Sequence, residues 1–192
     1  MSKFYAFMAD GFELVECLAV VDILRRGNID VVTVSVTGQK EVTSAQKVTV
    51  IADALYEETD LSDADGLFLP GGMPGTLNLM KHKALGEELK KAALAGKLIC
   101  AICAAPSVLG QLGILVGKTC TAYPGFEDKL VEADPKVCAV AWDGNVITAR
   151  GMGVATDLGL VILSALTSQQ TADAVKKSIQ HPDTLPEQII IC

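Results

Sequence analysis

Histidine is scarce: the 192 residues contain two, His82 within Lys81-His82-Lys83 and His181 near the C-terminus. A hydrolytic Cys–His couple needs an imidazole beside its nucleophile, and both histidines read as surface residues. No group of side chains has metal-ligand spacing, and the Cys-x-x-Cys of Cys100 and Cys103 has no second copy, so no metal is expected. Basic residues are also short, with 16 Lys+Arg against 23 Asp+Glu and a formal charge of −7. That balance argues against nucleic acid or an anionic membrane as partner, since both recruit a basic footprint. Long apolar runs are missing: the richest, Leu158 to Leu166, is nine residues long, half of the roughly 18 that span a bilayer. Gly-x-Gly-x-x-Gly and the P-loop lysine motif are absent as well, which leaves nucleotide binding without support.

What remains is a chain that is half hydrophobic and one-fifth charged, as expected of a globular protein with a sizeable core. At roughly 100–200 residues per domain, one domain over residues 1–192 is expected. No charged-then-apolar leader precedes the first strand-like segment. Six cysteines, Cys17, Cys100, Cys103, Cys120, Cys138 and Cys192, are scattered through apolar runs, unlike a secreted disulfide framework. A cytoplasmic location is expected.

Short β-rich runs alternate with helical patterns. Strands are predicted at 4–8, 30–36, 48–52, 66–69, 98–102 and 118–122, and at 137–142 and 145–149 around the hairpin signal Asp143-Gly144. Helices are predicted at 12–26, with Asp10 as N-cap and Glu13 as its capping-box partner, at 83–95 and 104–112, and over 155–178 with a break near 167–170. The alternation implies an α/β fold with a mostly parallel sheet covered on both faces. The uninterrupted apolar runs at 66–69 and 98–102 suit strands buried on both sides. Ligand chemistry in such sheets gathers beyond the carboxyl ends of the strands, here Ala9–Glu16, Pro70–Gly75, Cys103–Pro106 and Tyr123–Pro124.

Cys103 stands where a buried strand gives way to a helix, followed by Ala104, Ala105 and Pro106. The helix N-terminus favours thiolate over thiol, and the turn leaves backbone N–H groups free for an oxyanion. Cysteine here takes the place of serine in a nucleophile elbow. Within a strand, an offset of three would send Cys100 and Cys103 to opposite faces, which disfavours a dithiol function. Glu16 is a carboxylate without the capping role of Glu13, on a helix apolar on nearly every side, at the sheet edge where Cys103 emerges. Beside a thiolate it would raise both pKa values; protonated, it can donate a hydrogen bond to sulfur, and the two titrate as a pair. Pro70-Gly71-Gly72 can turn N–H groups into the same site.

The motifs Ala9-Asp10-Gly11-Phe12-Glu13-x-x-Glu16, Leu69-Pro70-Gly71-Gly72, Ala101-Ile102-Cys103-Ala104-Ala105-Pro106 and Ala149-Arg150-Gly151-x-Gly153 resemble those of the ThiJ/PfpI family, the superfamily of the parkinsonism-associated protein deglycase. The resemblance runs from about Lys3 to the region of Ser178. It implies a flavodoxin-like three-layer sandwich and a homodimer. It makes Cys103 an oxidisable nucleophile hydrogen-bonded to Glu16, with Gly72 and Ala104 supplying oxyanion-binding amides. It also implies cofactor-independent glyoxalase or deglycase chemistry on a small carbonyl substrate, a 2-oxoaldehyde or its protein adducts. Oxidative-stress sensing through sulfenic or sulfinic acid and chaperone-like activity are the alternatives. Two departures matter. Tyr123 stands where the deglycase has a histidine, and a phenol is a poor base near neutrality, so Tyr123 is expected as a wall of the site. Ala104 replaces the histidine of the protease-like branch, which disfavours peptidase activity. The apolar end Ile189-Ile190-Ile191-Cys192 of the tail 182–192 is expected to dock on the body or on a partner.

Overall fold

A computed structural model describes residues 2–182 and 189–191. The strands are β1 (Lys3–Met8), β2 (Asp30–Ser35), β3 (Glu41–Thr43), β4 (Thr49–Ile51), β5 (Ala54–Leu55), β6 (Gly66–Leu69), β7 (Leu98–Ile102), β8 (Thr119–Cys120), β9 (Asp134–Pro135), β10 (Val140–Asp143), β11 (Val146–Ala149) and β12 (Ile189–Ile191). The helices are α1 (Leu14–Arg26), α2 (Gly75–Lys81), α3 (Lys83–Leu94), α4 (Pro106–Gln111), α5 (Ala155–Leu166) and α6 (Gln169–Ser178). Eight strands form one sheet in the order β12-β10-β11-β7-β6-β1-β2-β5. Every pairing in it is parallel except β10 with β11. This is the mostly parallel sheet that the alternating pattern predicts, in the flavodoxin-like arrangement that the family resemblance implies.

The period-two alternation of strand side chains builds two cores. Phe4, Ala6 and Met8 of β1, with Cys100 and Ile102 of β7, face α1, α5 and α6. Tyr5 and Phe7, with Ile99 and Ala101, face α2, α3 and α4. Gly159 lets α1 and α5 approach: a Cβ there would lie 2.9 Å from Cβ of Ile23. No helix among the described residues is long and apolar enough to cross a membrane.

The structure corrects several local expectations. The strand predicted at 48–52 belongs to a separate two-stranded hairpin with β3, and the run at 118–122 yields only β8, paired with β9 outside the main sheet. Helix α2 has no counterpart among the predicted elements. Asp10 does not cap α1; its Oδ1 accepts from the Thr43 N–H at 2.9 Å. Glu13 is the N-cap instead, its Oε2 accepting from Val15 N at 2.6 Å and Glu16 N at 3.1 Å. The loop from Ala9 is held by distant strands, so the helix starts later than its own sequence suggests. The break between α5 and α6 falls where predicted, with Ser168 capping the second. The backbone of Ile189–Ile191 joins the sheet beside β10; the remaining tail, 183–188 and Cys192, lies outside the described residues.

Candidate active site

Strands β7, β6 and β1 are neighbours, so their carboxyl ends bring Cys103, Pro70–Gly75 and Ala9–Glu16 together at one edge of the sheet. Cys103 follows β7 directly with φ +63°, a left-handed conformation uncommon for a residue with a Cβ. The turn has a consequence for side-chain direction. Ile102 and Cys103 are consecutive, yet Cys103 packs against the same core layer as Ile102 and Cys100. The expected placement of Cys100 and Cys103 on opposite faces is therefore overturned, because strand parity stops at Ile102. Both are free thiols, Cys100 fully buried and Cys103 half-buried. The bend is pinned on both sides: the Cys103 N–H donates to Ala149 O at 2.9 Å, and the Cys103 carbonyl accepts from Tyr123 N at 2.8 Å.

Glu16 is only 1% exposed, although it lies in the first turn of α1. Its side chain hydrogen-bonds Cys103, and its Oε2 accepts from the Gly71 N–H at 2.9 Å. Gly71 sits between the two groups: a Cβ there would stand 2.6 Å from Cβ of Cys103 and 2.6 Å from Oε2 of Glu16. The N–H groups of Ala104 and Gly72 hydrogen-bond toward the sulfur. Glu16, Gly72 and Ala104 thus all act on the sulfur of Cys103.

The electrostatics are those of a coupled pair. Burial pushes the Glu16 carboxyl up to about 7, opposed by its hydrogen bonds with Cys103 and Gly71. Burial, then the charge and hydrogen bond of Glu16, push the Cys103 thiol up to about 12, while the Ala104 and Gly72 amides pull it down. Helix α4, expected to favour the thiolate, has only six residues and begins at Pro106, and burial is the largest influence raising the thiol, ahead of the Glu16 carboxylate. A proton on Glu16 removes that opposition and leaves the two amides facing the sulfur. The thiolate is thus stabilised by its neighbour's protonation.

This coupling predicts an unusual pH profile for alkylation of Cys103 by iodoacetamide. The rate rises through about pH 7, as the pair loses its first proton, and rises again toward 12 as the second leaves. Glu16→Gln collapses the two limbs into one, lying below the upper limb. Superimposable profiles would contradict the pairing.

Tyr123 reaches the site through its backbone. Its side chain is 51% exposed, and the ring lies over Gly151, with Cδ2 3.3 Å from where a Cβ would stand. Neither histidine joins the hydrogen bonds around Cys103, and both are half-buried rather than the surface residues expected. His82 caps α3, its Nδ1 accepting from Leu85 N at 3.1 Å, with its ring 4.5 Å from that of Tyr56. His181 Nε2 lies 3.4 Å from the buried Asp157 Oδ1. Among the described residues no group of three His, Cys, Asp or Glu side chains is placed to hold a metal ion. Sequence reasoning assigned no role to Gly71 as the wedge or to Ala149 as the anchor. Gly71 was marked only as part of a turn that directs N–H groups into the site, and Ala149 only by its place in a family-like motif.

A mostly parallel α/β sandwich with a left-handed cysteine at the strand–helix bend, met by a buried acid, places the chain among flavodoxin-like folds with a nucleophile elbow. The DJ-1/PfpI family profile matches residues 2–165, and the chain belongs to that family. It is 36% identical over 88% of its length to Protein DJ-1 homolog A of Arabidopsis thaliana, of which it spans 44%. It is 30% identical over 87% of its length to the glutathione-independent glyoxalase DJR-1.2 of Caenorhabditis elegans, spanning 89% of that protein. Among solved structures, Drosophila melanogaster DJ-1beta superposes with a TM-score of 0.90 at 32% identity, covering 94% of this chain and 98% of the other. Oxidized Toxoplasma gondii DJ-1 superposes at 0.89 with 31% identity, covering 94% and 98%.

Proposed function

We propose that the protein is a cysteine-dependent, cofactor-independent enzyme of the glyoxalase or deglycase type, acting on small 2-oxoaldehydes or their protein adducts. The observation that carries this reading is the Glu16–Cys103 pair, a thiol and a buried acid that shift each other's pKa beside the amides of Gly72 and Ala104. The Cys103 thiolate adds to the aldehyde carbon, and the new oxyanion rests on the Gly72 and Ala104 N–H groups. Glu16 takes the proton from that carbon and returns one to the adjacent carbonyl carbon, which converts the hemithioacetal into a thioester of a 2-hydroxy acid. Water then cleaves the thioester, releasing the acid and restoring the thiol. For methylglyoxal the sum is one water added and one lactate formed, with no external redox partner. The homologous nematode glyoxalase supports the reading.

Lactate formation from methylglyoxal by the full chain is the test. Cys103→Ala is expected to abolish it; undiminished turnover would refute the mechanism. Family proteins are commonly dimeric, and a homodimer belongs to the proposed reading, to be read by sedimentation. A second reading, oxidation of Cys103 to sulfenic or sulfinic acid, draws on its partial exposure and on the oxidized relative. Intact mass after mild peroxide distinguishes it: oxygen added elsewhere than Cys103 would contradict it.

A further inference from the structure

Beside the nucleophile opens a cleft of about 380 Å³, walled by Tyr123, Pro124, Arg150, Met152 and Val154. It is tied to the main chain of Cys103 by strand register and backbone hydrogen bonds. Ala149 pairs in register with Ile102, so Arg150 takes the next step along β11 as Cys103 does along β7. The Cys103 backbone also hydrogen-bonds to Tyr123, which lines the cleft, and to Ala149, the residue before Arg150. The lining contains one cation and no acid. The Arg150 side chain is exposed and pairs with no carboxylate among the described residues, in a chain whose formal charge is −7. Tyr123 and Met152 leave about half their surfaces open, 51% and 52%, and Gly151 keeps the space that the Tyr123 ring occupies.

We infer that this cleft is a specificity subsite for an anionic tail: the preferred substrate is a 2-oxoaldehyde bearing a carboxylate a few bonds from the reacting carbon. The inference rests on the aldehyde chemistry proposed for Cys103. The carbonyl end meets the thiol while the tail lies along the Tyr123 and Met152 faces. Its carboxylate takes the Arg150 guanidinium, whose planar donors match two carboxylate oxygens. Arg150 acts on recognition and takes no part in the chemical step.

The probe is 4,5-dioxopentanoate, compared with 2-oxopentanal, which has the same reacting group and chain length without the carboxylate. Each is titrated for protection of Cys103 from iodoacetamide in the full chain, read by intact mass. The acid is expected to protect at about tenfold lower concentration, the equivalent of one charge-assisted contact of about 1.4 kcal/mol. Arg150→Gln removes that preference and Arg150→Lys restores part of it. An equal response of the wild-type chain to both compounds, a preference that survives in Arg150→Gln, or no protection by either compound would overturn the inference. Protection without any 2-hydroxy acid produced would refute the proposed turnover and leave the subsite standing.

Discussion

Replacing Glu16 by glutamine is expected to cut turnover by about 10²–10⁴-fold, the usual contribution of a positioned acid–base group, and at the same time to stabilise the fold above neutral pH. Glutamine resembles the protonated acid: it keeps an acceptor for the Gly71 N–H and a donor for the sulfur, but it has no proton to move. The stability gain follows from linkage. The folded carboxyl is raised from 4.5 to about 7, so the folded state holds this proton more tightly than the unfolded chain. The resulting penalty is absent below 4.5, grows as pH rises, and is complete above about 7. At about 1.4 kcal/mol per unit it amounts to about 3 kcal/mol. Denaturant unfolding of both proteins at pH 4 and pH 8, alongside lactate assays, checks it. Wild-type turnover in the variant, or equal stability differences at the two pH values, would show that Glu16 is neither proton carrier nor buried charge.

Gly71→Ala is expected to silence the site as completely as removing the thiol. A single methyl group would fall 2.6 Å from both Cys103 Cβ and Glu16 Oε2, and 3.0 Å from the Ile102 carbonyl. Gly71 does not have a positive φ, so the penalty is contact alone, about 1–3 kcal/mol for forcing a packed region apart. The neighbours that must yield are the reacting pair themselves. The variant should remain folded by circular dichroism, produce no lactate, and show the single-limbed alkylation profile of a cysteine parted from its acid. Normal turnover would mean that the pair tolerates separation.

The sequence was most informative where local chemistry and tertiary context agree. The buried runs at β6 and β7 could be placed because a short, unbroken apolar stretch between turn signals suits a strand covered on both faces. Cys103 stood out because a strand, two alanines and a proline leave little freedom. Glu16 was legible as a charge without a surface. Long-range contacts account for the failures. Helix α2 begins inside a Pro- and Gly-rich stretch whose local signals read as turn, and it forms because Leu79 buries against the sheet layer. Asp10 and Glu13 both suit a helix start, and a hydrogen bond to Thr43, 33 residues away, decides between them. The balance of charge at the thiol depended on how deeply Glu16 is buried, which no spacing reveals.

The left-handed bend at Cys103 also limits which chemistries this position can evolve. A φ of +63° is a genuine outlier for β-branched side chains, so threonine is closed to it while serine, with one substituent on Cβ, is not. Glycine would relax the backbone and sacrifice the reagent. The scaffold therefore spends conformational strain on presenting a reactive atom, and mutational drift toward a calmer fold leads through loss of the nucleophile.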